Sequence, residues 1–271
     1  EVNALIIAVG HHLHAEMVCR GLEAEKHVLV EKPLAIDPPG LQRALRAARA
    51  HPDLQLMVGF NRRFSPHAAL MGRMLRGRGG PLTMSMTVNA GAIPRDHWVQ
   101  DPARGGGRII GEACHFIDLM VYLCGAPVER VAAVMVGSGV AVREDKMVIA
   151  LGFEDGSIGA VNYFANGART YPKEQLEVFS DGRVLRLDNF RRLEGHGFGR
   201  LRGGRALAQD KGHARELAAF VEGVARGSAP LIPLDQLVNV TLASFAAVES
   251  ARSGQSVELP AAWPELTATD P

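Results

Sequence analysis

Lys26-His27-Val28-Leu29-Val30-Glu31-Lys32-Pro33 carries a short β-branched run straight into two charged residues and a proline. His27–Val30 reads as a strand, since a continuous apolar run of this length suits a parallel sheet covered on both faces. Upstream, Leu5–Val9 is a second such run, closed by Gly10. Between them Ala15, Val18, Cys19 and Leu22 recur at i, i+3, i+4 and i+7, the stripe of an amphipathic helix. Downstream, Asp37 before Pro38 is a helix start, and Leu41, Ala44, Leu45 and Ala48 form a second stripe. Leu54–Val58 is a third strand, closed by Gly59. Strand and helix alternating at this spacing make a βαβαβ unit and a right-handed parallel sheet.

The pattern changes after Phe60–Pro66, where a boundary is expected. Leu82–Val88 reads as a strand and Glu112–Leu123 as a helix. A meander follows, over Val131–Val136, Lys146–Phe153, Ile158–Phe164, Leu176–Phe179 and Val184–Leu187. Asp155-Gly156 and Asp181-Gly182 supply hairpin chemistry, and Met147, Ile149, Leu151 and Phe153 alternate as one face of an antiparallel strand. Two helices close the pattern, one carrying His213, Leu217, Phe220, Val221 and Val224, the other Leu234, Leu237, Val238, Thr241, Phe245 and Val248. The expected fold is α/β: an incomplete Rossmann parallel sheet over residues 1–63, then an α+β domain with an open antiparallel sheet over 64–260, and a tail over 261–271.

At 47% hydrophobic and 22% charged, 271 residues can bury a substantial core. A formal charge of +1 provides no broad field for nucleic acid or anionic lipid, and no apolar run reaches the ~20 residues of a membrane helix. Cys19, Cys114 and Cys124 are odd in number and scattered, which argues against a disulfide framework and for a reducing cytoplasm. The opening Glu1-Val2-Asn3-Ala4 has neither a basic leader nor a cleavage site. Arg191-Arg192 and Arg200–Arg205 read as a solvated basic loop, with a phosphorylated-ligand site as second reading.

Ligands of open parallel sheets bind beyond the carboxyl ends of the strands. Gly10–His14, Glu31–Pro33 and Gly59–Arg63 all fall at that edge. Lys32, with Pro33 fixing the backbone behind it, is placed to exchange a proton with a substrate hydroxyl; the alternative is a surface lysine in a loop. In Gly105-Gly106-Gly107-Arg108-Ile109-Ile110-Gly111-Glu112-Ala113-Cys114-His115-Phe116-Ile117-Asp118, ideal winding sets His115 about 60° from both Glu112 and Asp118. That suits a general base oriented by a carboxylate, or else a satisfied histidine in a capped helix. The three glycines are a weak anion-nest signal. His11, His12 and His14 have no carboxylate or cysteine at metal-like spacing, so no metal is expected.

Together these strings resemble the Gfo/Idh/MocA (glucose–fructose oxidoreductase / inositol dehydrogenase) family, and the resemblance runs over nearly the whole chain. It implies an NAD(P)-dependent oxidoreductase moving a hydride between NAD or NADP and a hydroxyl carbon of a sugar, nucleotide-sugar or polyol. By the same resemblance Lys32 and His115 are the proton-transfer groups, with Glu112 as a candidate third. Val9, Gly10, His11, His14, Glu31, Lys32 and Arg62 line the cofactor; Asn61, Arg62, His97, Trp98 and Asp118 are substrate contacts. Oligomerisation of like chains through the antiparallel sheet is also implied. Two features depart from the pattern: Gly111 stands where an aspartate is usual, and no G-x-G-x-x-G turn is present. The latter leads to an expected missing first half of the dinucleotide domain, and Asn89-Ala90-Gly91 with Asp96–Pro102 to an expected alcohol-dehydrogenase-like domain fused in front. A non-catalytic binding or oligomerisation module and an NAD-assisted glycoside hydrolase are the alternatives.

Overall fold

The computed structural model describes residues 2–199 and 208–260; Arg200–Arg205 and the 261–271 tail lie outside the described residues. Three strands, β1 (Ala4–Ile7), β2 (His27–Val30) and β3 (Leu56–Val58), form a parallel sheet in that order. Helices α1 (His14–Glu23) and α2 (Pro38–Ala50) cover it, and the anticipated stripes do the covering: Val18, Leu22, Ala44 and Leu45 are buried. The side chain of Asp37 accepts from the Gly40 amide, so α2 starts where the Asp-Pro pair places it. The expected parallel unit is present.

Helix α3 (Pro66–Leu75) was not expected from the sequence, although Ser65 caps it through the Ala68 amide and Pro66 opens its first turn. After it come β4 (Thr83–Asn89), α4 (Cys114–Cys124), β5 (Val128–Met135), β6 (Lys146–Phe153), β7 (Ile158–Phe164), β8 (Glu174–Ser180), β9 (Arg183–Asp188) and β10 (Arg192–His196). Helices α5 (His213–Arg226) and α6 (Leu234–Ser253) and a short β11 (Val257–Glu258) complete the order. The eight strands run β10-β9-β8-β4-β7-β6-β5-β11. The sheet is mixed, not purely antiparallel, because β4 sits between β8 and β7 and pairs parallel to β7. Asp181 and Gly182 both take positive φ between β8 and β9, the backbone a two-residue type I′ hairpin requires.

One face of this sheet packs on α4 and α6 through Met86, Val88, Ile149, Leu151, Phe153, Val161 and Tyr163, all buried. Burying a Leu- or Ile-sized side chain contributes about 1.5–3 kcal/mol, so this layer is a main source of stability. The other face is open and carries Val134 (73% exposed), Ile158 (55%) and Phe179 (43%). Helix α5 buries only part of the expected set. Its buried positions are Glu216, Phe220 and Gly223, while Leu217 and Val221 face outward, because the helix packs against the turn at Asn61–Phe64. Arg192 opens β10 and is not in a loop.

Candidate active site

Two segments far apart in sequence meet at the carboxyl edge of the small sheet. The Lys32 Nζ donates to the Gly111 carbonyl at 2.8 Å. The Lys32-Pro33 peptide bond is cis. His14 braces the turn from below: its Nδ1 lies 2.7 Å from the Pro33 carbonyl and its Nε2 3.1 Å from that of Val9. It is fully buried, so His14 supports the site edge and does not line a ligand as expected.

Gly111, the position that departs from the family pattern, has a geometric reason to be glycine. A Cβ there would lie 2.9 Å from Cε1 of His11. The His11 ring fills that space, with Nδ1 2.8 Å from the Gly105 carbonyl and an edge-on contact to Trp98 at 4.7 Å. Burial pulls its pKa down to about 4, against the Gly105 contact and helped by Lys32, so the ring is neutral. His97 stacks on Trp98 at 5.9 Å and caps its turn, which puts both beside His11. The glycine run is not an anion nest: the Gly105 and Gly106 amides both donate to the Asp101 carbonyl.

The helical geometry expected around His115 is altered by a π turn at Ile109–Ala113, which gives way to α4 at Cys114. Glu112 is therefore out of phase with His115. Its carboxylate is held by Lys173 at 2.6 Å, Tyr163 at 2.5 Å and Arg108 at 2.8 Å. Burial alone would raise the Glu112 pKa, but Lys173, Tyr163 and Arg108 together bring it down to about 2. Asp118 is also taken: fully buried, it forms a two-pronged ion pair with Arg63, one arm at 3.0 Å. Neither carboxylate orients His115, and Asp118 is a buried structural anion, not a substrate contact.

His115 itself is 6% exposed, lies between the rings of Phe60 and Phe116, and its Nδ1 has no hydrogen-bond partner among the described residues. Burial, then Arg62, Lys32, Lys173 and Lys211, hold its pKa well below the usual histidine range. A neutral imidazole in such a place accepts protons. Cys114 beside it is no nucleophile, since burial lifts its thiol to about 12. Arg62, expected at the cofactor–substrate junction, grips Glu174 with two bonds of 2.8 Å and stacks over Phe116 at 4.8 Å. Lys211 joins Glu174 at 2.5 Å and Asn61 holds the Lys211 carbonyl at 2.8 Å. Lys173, Glu174 and Lys211 were not anticipated. Glu174 had a signal: it is in period-two phase with Leu176 and Val178, the buried side of β8.

Gly10 ends β1's run, and Glu31 reaches over Gly59, where an added Cβ would come within 3.0 Å of its Oε2. Gly10, Glu31, Lys32 and Asn61 thus all follow the carboxyl ends of the three parallel strands. Among the described residues no three His, Cys, Asp or Glu side chains converge on a metal position, and no helix is long and apolar enough to cross a membrane. All three cysteines are free.

A family model described as the oxidoreductase family, NAD-binding Rossmann fold, matches residues 1–60, and that of the GFO/IDH/MocA C-terminal domain matches residues 75–185. The chain belongs to the Gfo/Idh/MocA family of oxidoreductases. Within the family it is 27% identical over 278 residues to the myo-inositol 2-dehydrogenase of Thermotoga maritima, covering 95% of this chain and 80% of that protein. It is 29% identical over 198 residues to the oxidoreductase YrbE of Bacillus subtilis (strain 168), covering 70% of this chain and 57% of YrbE. In fold it is similar to a levoglucosan dehydrogenase solved with NADH and levoglucosan, at TM-score 0.81 and 23% identity over 95% of this chain and 80% of that one.

Proposed function

We propose that this Gfo/Idh/MocA chain acts in NAD(P)-dependent hydride transfer at a hydroxyl carbon of a sugar, nucleotide-sugar or polyol. The observation that carries this reading is Lys32, tied to the Gly111 carbonyl four residues before a buried, neutral His115. The relatives named above include an inositol dehydrogenase and a levoglucosan dehydrogenase bound to NADH, which supports the same chemistry. Residues 1–63 supply the cofactor edge and 64–260 the substrate side. The residues fit the nicotinamide end of the cofactor, through Gly10, Lys32 and Asn61; no residue of this chain is assigned to its phosphates, as no G-x-G-x-x-G turn is present. When bound, the cofactor supplies the hydride acceptor.

In this reading Lys32 donates a hydrogen bond to the reacting oxygen, fixing it between Nζ and the imidazole. His115 takes the hydroxyl proton in the oxidative direction and returns it in the reductive one. The cations around it disfavour the imidazolium, so the base stays available well into acid. His97 and Trp98 close the site from the side of His11. The test is formation of reduced cofactor by the full-length protein on a panel of polyols and sugars, with products separated. A ketone with reduced cofactor supports hydride transfer to a stable product, free sugar released from an added glycoside with no net cofactor reduction supports NAD-assisted cleavage, and neither outcome with any compound removes the reading.

A second copy of the chain on the open sheet face belongs to the same proposal, on the strength of its exposed Val134, Val148, Ile158 and Phe179. Sedimentation velocity is expected to show at least a dimer, broken by Val134→Asp. A monomer at all concentrations would refute it.

A further inference from the structure

The charges around His115 do not balance. Five cations lie about it: Arg62 and Lys211 share Glu174, Arg108 and Lys173 share Glu112, and Lys32 is bonded to the Gly111 carbonyl. Glu112 and Glu174 are the two carboxylates bonded to them, and Glu31, adjacent to Lys32 in the chain, is a third. Arg63 and Asp118 neutralise each other nearby. Glu216 adds no full charge at neutral pH, because burial, with Glu31 next, lifts its carboxyl to about 8. Five cations against three carboxylates leave an excess of two positive charges around a histidine that is itself neutral.

Burying uncompensated charge is costly, so such an excess calls for an anion when the site is filled. Arg62, Arg108 and Lys211 are enclosed and have their carboxylate partners inside the protein. Lys173 differs: its side chain is 38% exposed, against 15% for Lys211 and 6% for Arg62, and its only carboxylate, Glu112, is shared with Arg108. Bonded to Glu112 yet partly exposed, it can also meet a group arriving from solvent.

We propose that the sugar or polyol taken by this site carries an anionic group, a carboxylate or a phosphate, that docks against Lys173. This deepens the hydride-transfer reading and rests on it. The competing account is that the cations serve only to keep His115 neutral, which predicts no preference among substrates.

The experiment compares neutral compounds (myo-inositol, levoglucosan, glucose) with anionic ones (gluconate, glucuronate, glucose 6-phosphate) in cofactor reduction by the full-length protein. A preference of about 10-fold or more in kcat/KM for gluconate or glucuronate, or for the phosphate, is expected, each arm naming its own anion. It should shrink as salt is raised, since Lys173 is partly exposed. Lys173→Met should raise KM for the preferred anion by about 10-fold and for the best neutral compound much less. Equal or better use of neutral compounds, or equal losses for both classes in Lys173→Met, would overturn the proposal while leaving hydride transfer standing. If no compound is oxidised, hydride transfer fails, and calorimetric binding of the same panel decides the anion question: tighter binding of anionic members supports it, and binding of neutral members alone or of none refutes it.

Discussion

Replacing Lys32 by alanine is expected to lower turnover by roughly 10²-fold or more, the usual cost of losing a positioned proton-transfer group. Lys32 leaves β2 at a turn braced by His14 and is aimed across the site by its bond to the Gly111 carbonyl at 2.8 Å. Alanine removes the donor to the reacting oxygen and that tether together. The loss should fall mainly on kcat, because the interaction matters most as charge develops on the oxygen. A pH profile separates this from simple misfolding. Burial and the surrounding cations hold the His115 pKa well below 6.5, so the acid limb of wild-type kcat/KM should lie well below that value. Lys32 is one of those cations, and its removal eases protonation of the imidazole. The acid limb of Lys32→Ala should therefore move upward in pH. Wild-type turnover in the variant would end the assignment, and a large loss with an unmoved limb would reduce Lys32 to a structural strut.

The parallel unit was legible in the sequence because its signals are local: apolar runs, two helical stripes and an Asp-Pro start. The strands Lys146–Phe153 and Ile158–Phe164 were equally plain, since their alternation is regular and their turn carries Asp155-Gly156. What failed was anything that depended on partners distant in sequence. The π turn at Ile109–Ala113 breaks the 3.6-residue phase on which the Glu112–His115 pairing was argued. The ion pairs of Asp118 with Arg63 and of Arg62 with Glu174 were not legible, because the partners lie 55 and 112 residues apart. Gly111 read as a defect until His11 was found to occupy the space. The parallel placement of β4 beside β7 follows from the path of the chain through α4, which no strand pattern encodes. Lys32 and His115 could be singled out as candidates from the sequence; the ion pairs around them could not.

Glu216→Gln is expected to stabilise the protein, and increasingly so as pH rises. Glu216 lies in the first turn of α5 on the face that packs against Asn61–Phe64, 5% exposed, and its Oε1 is buried with no partner among the described residues. Burial first, then Glu31 and Asp118, lift its carboxyl from 4.5 to about 8, and Arg62 and Arg63 only partly oppose this. Below about pH 4.5 the group is protonated in both folded and unfolded chains, and the native state keeps its full stability. Between there and pH 8 the unfolded chain releases the proton first, so stability drains away until the folded carboxyl ionises as well. Holding the native carboxylate ionised above that point costs on the order of a few kcal/mol. Glutamine has no proton to lose and keeps the shape. The gap in melting temperature between variant and wild type should therefore widen by roughly 5 °C or more from pH 5 to pH 9. Parallel melting curves over that range would show that Glu216 is ionised in the native protein. Its charge would then have to be counted against the cations around His115, which would halve their excess.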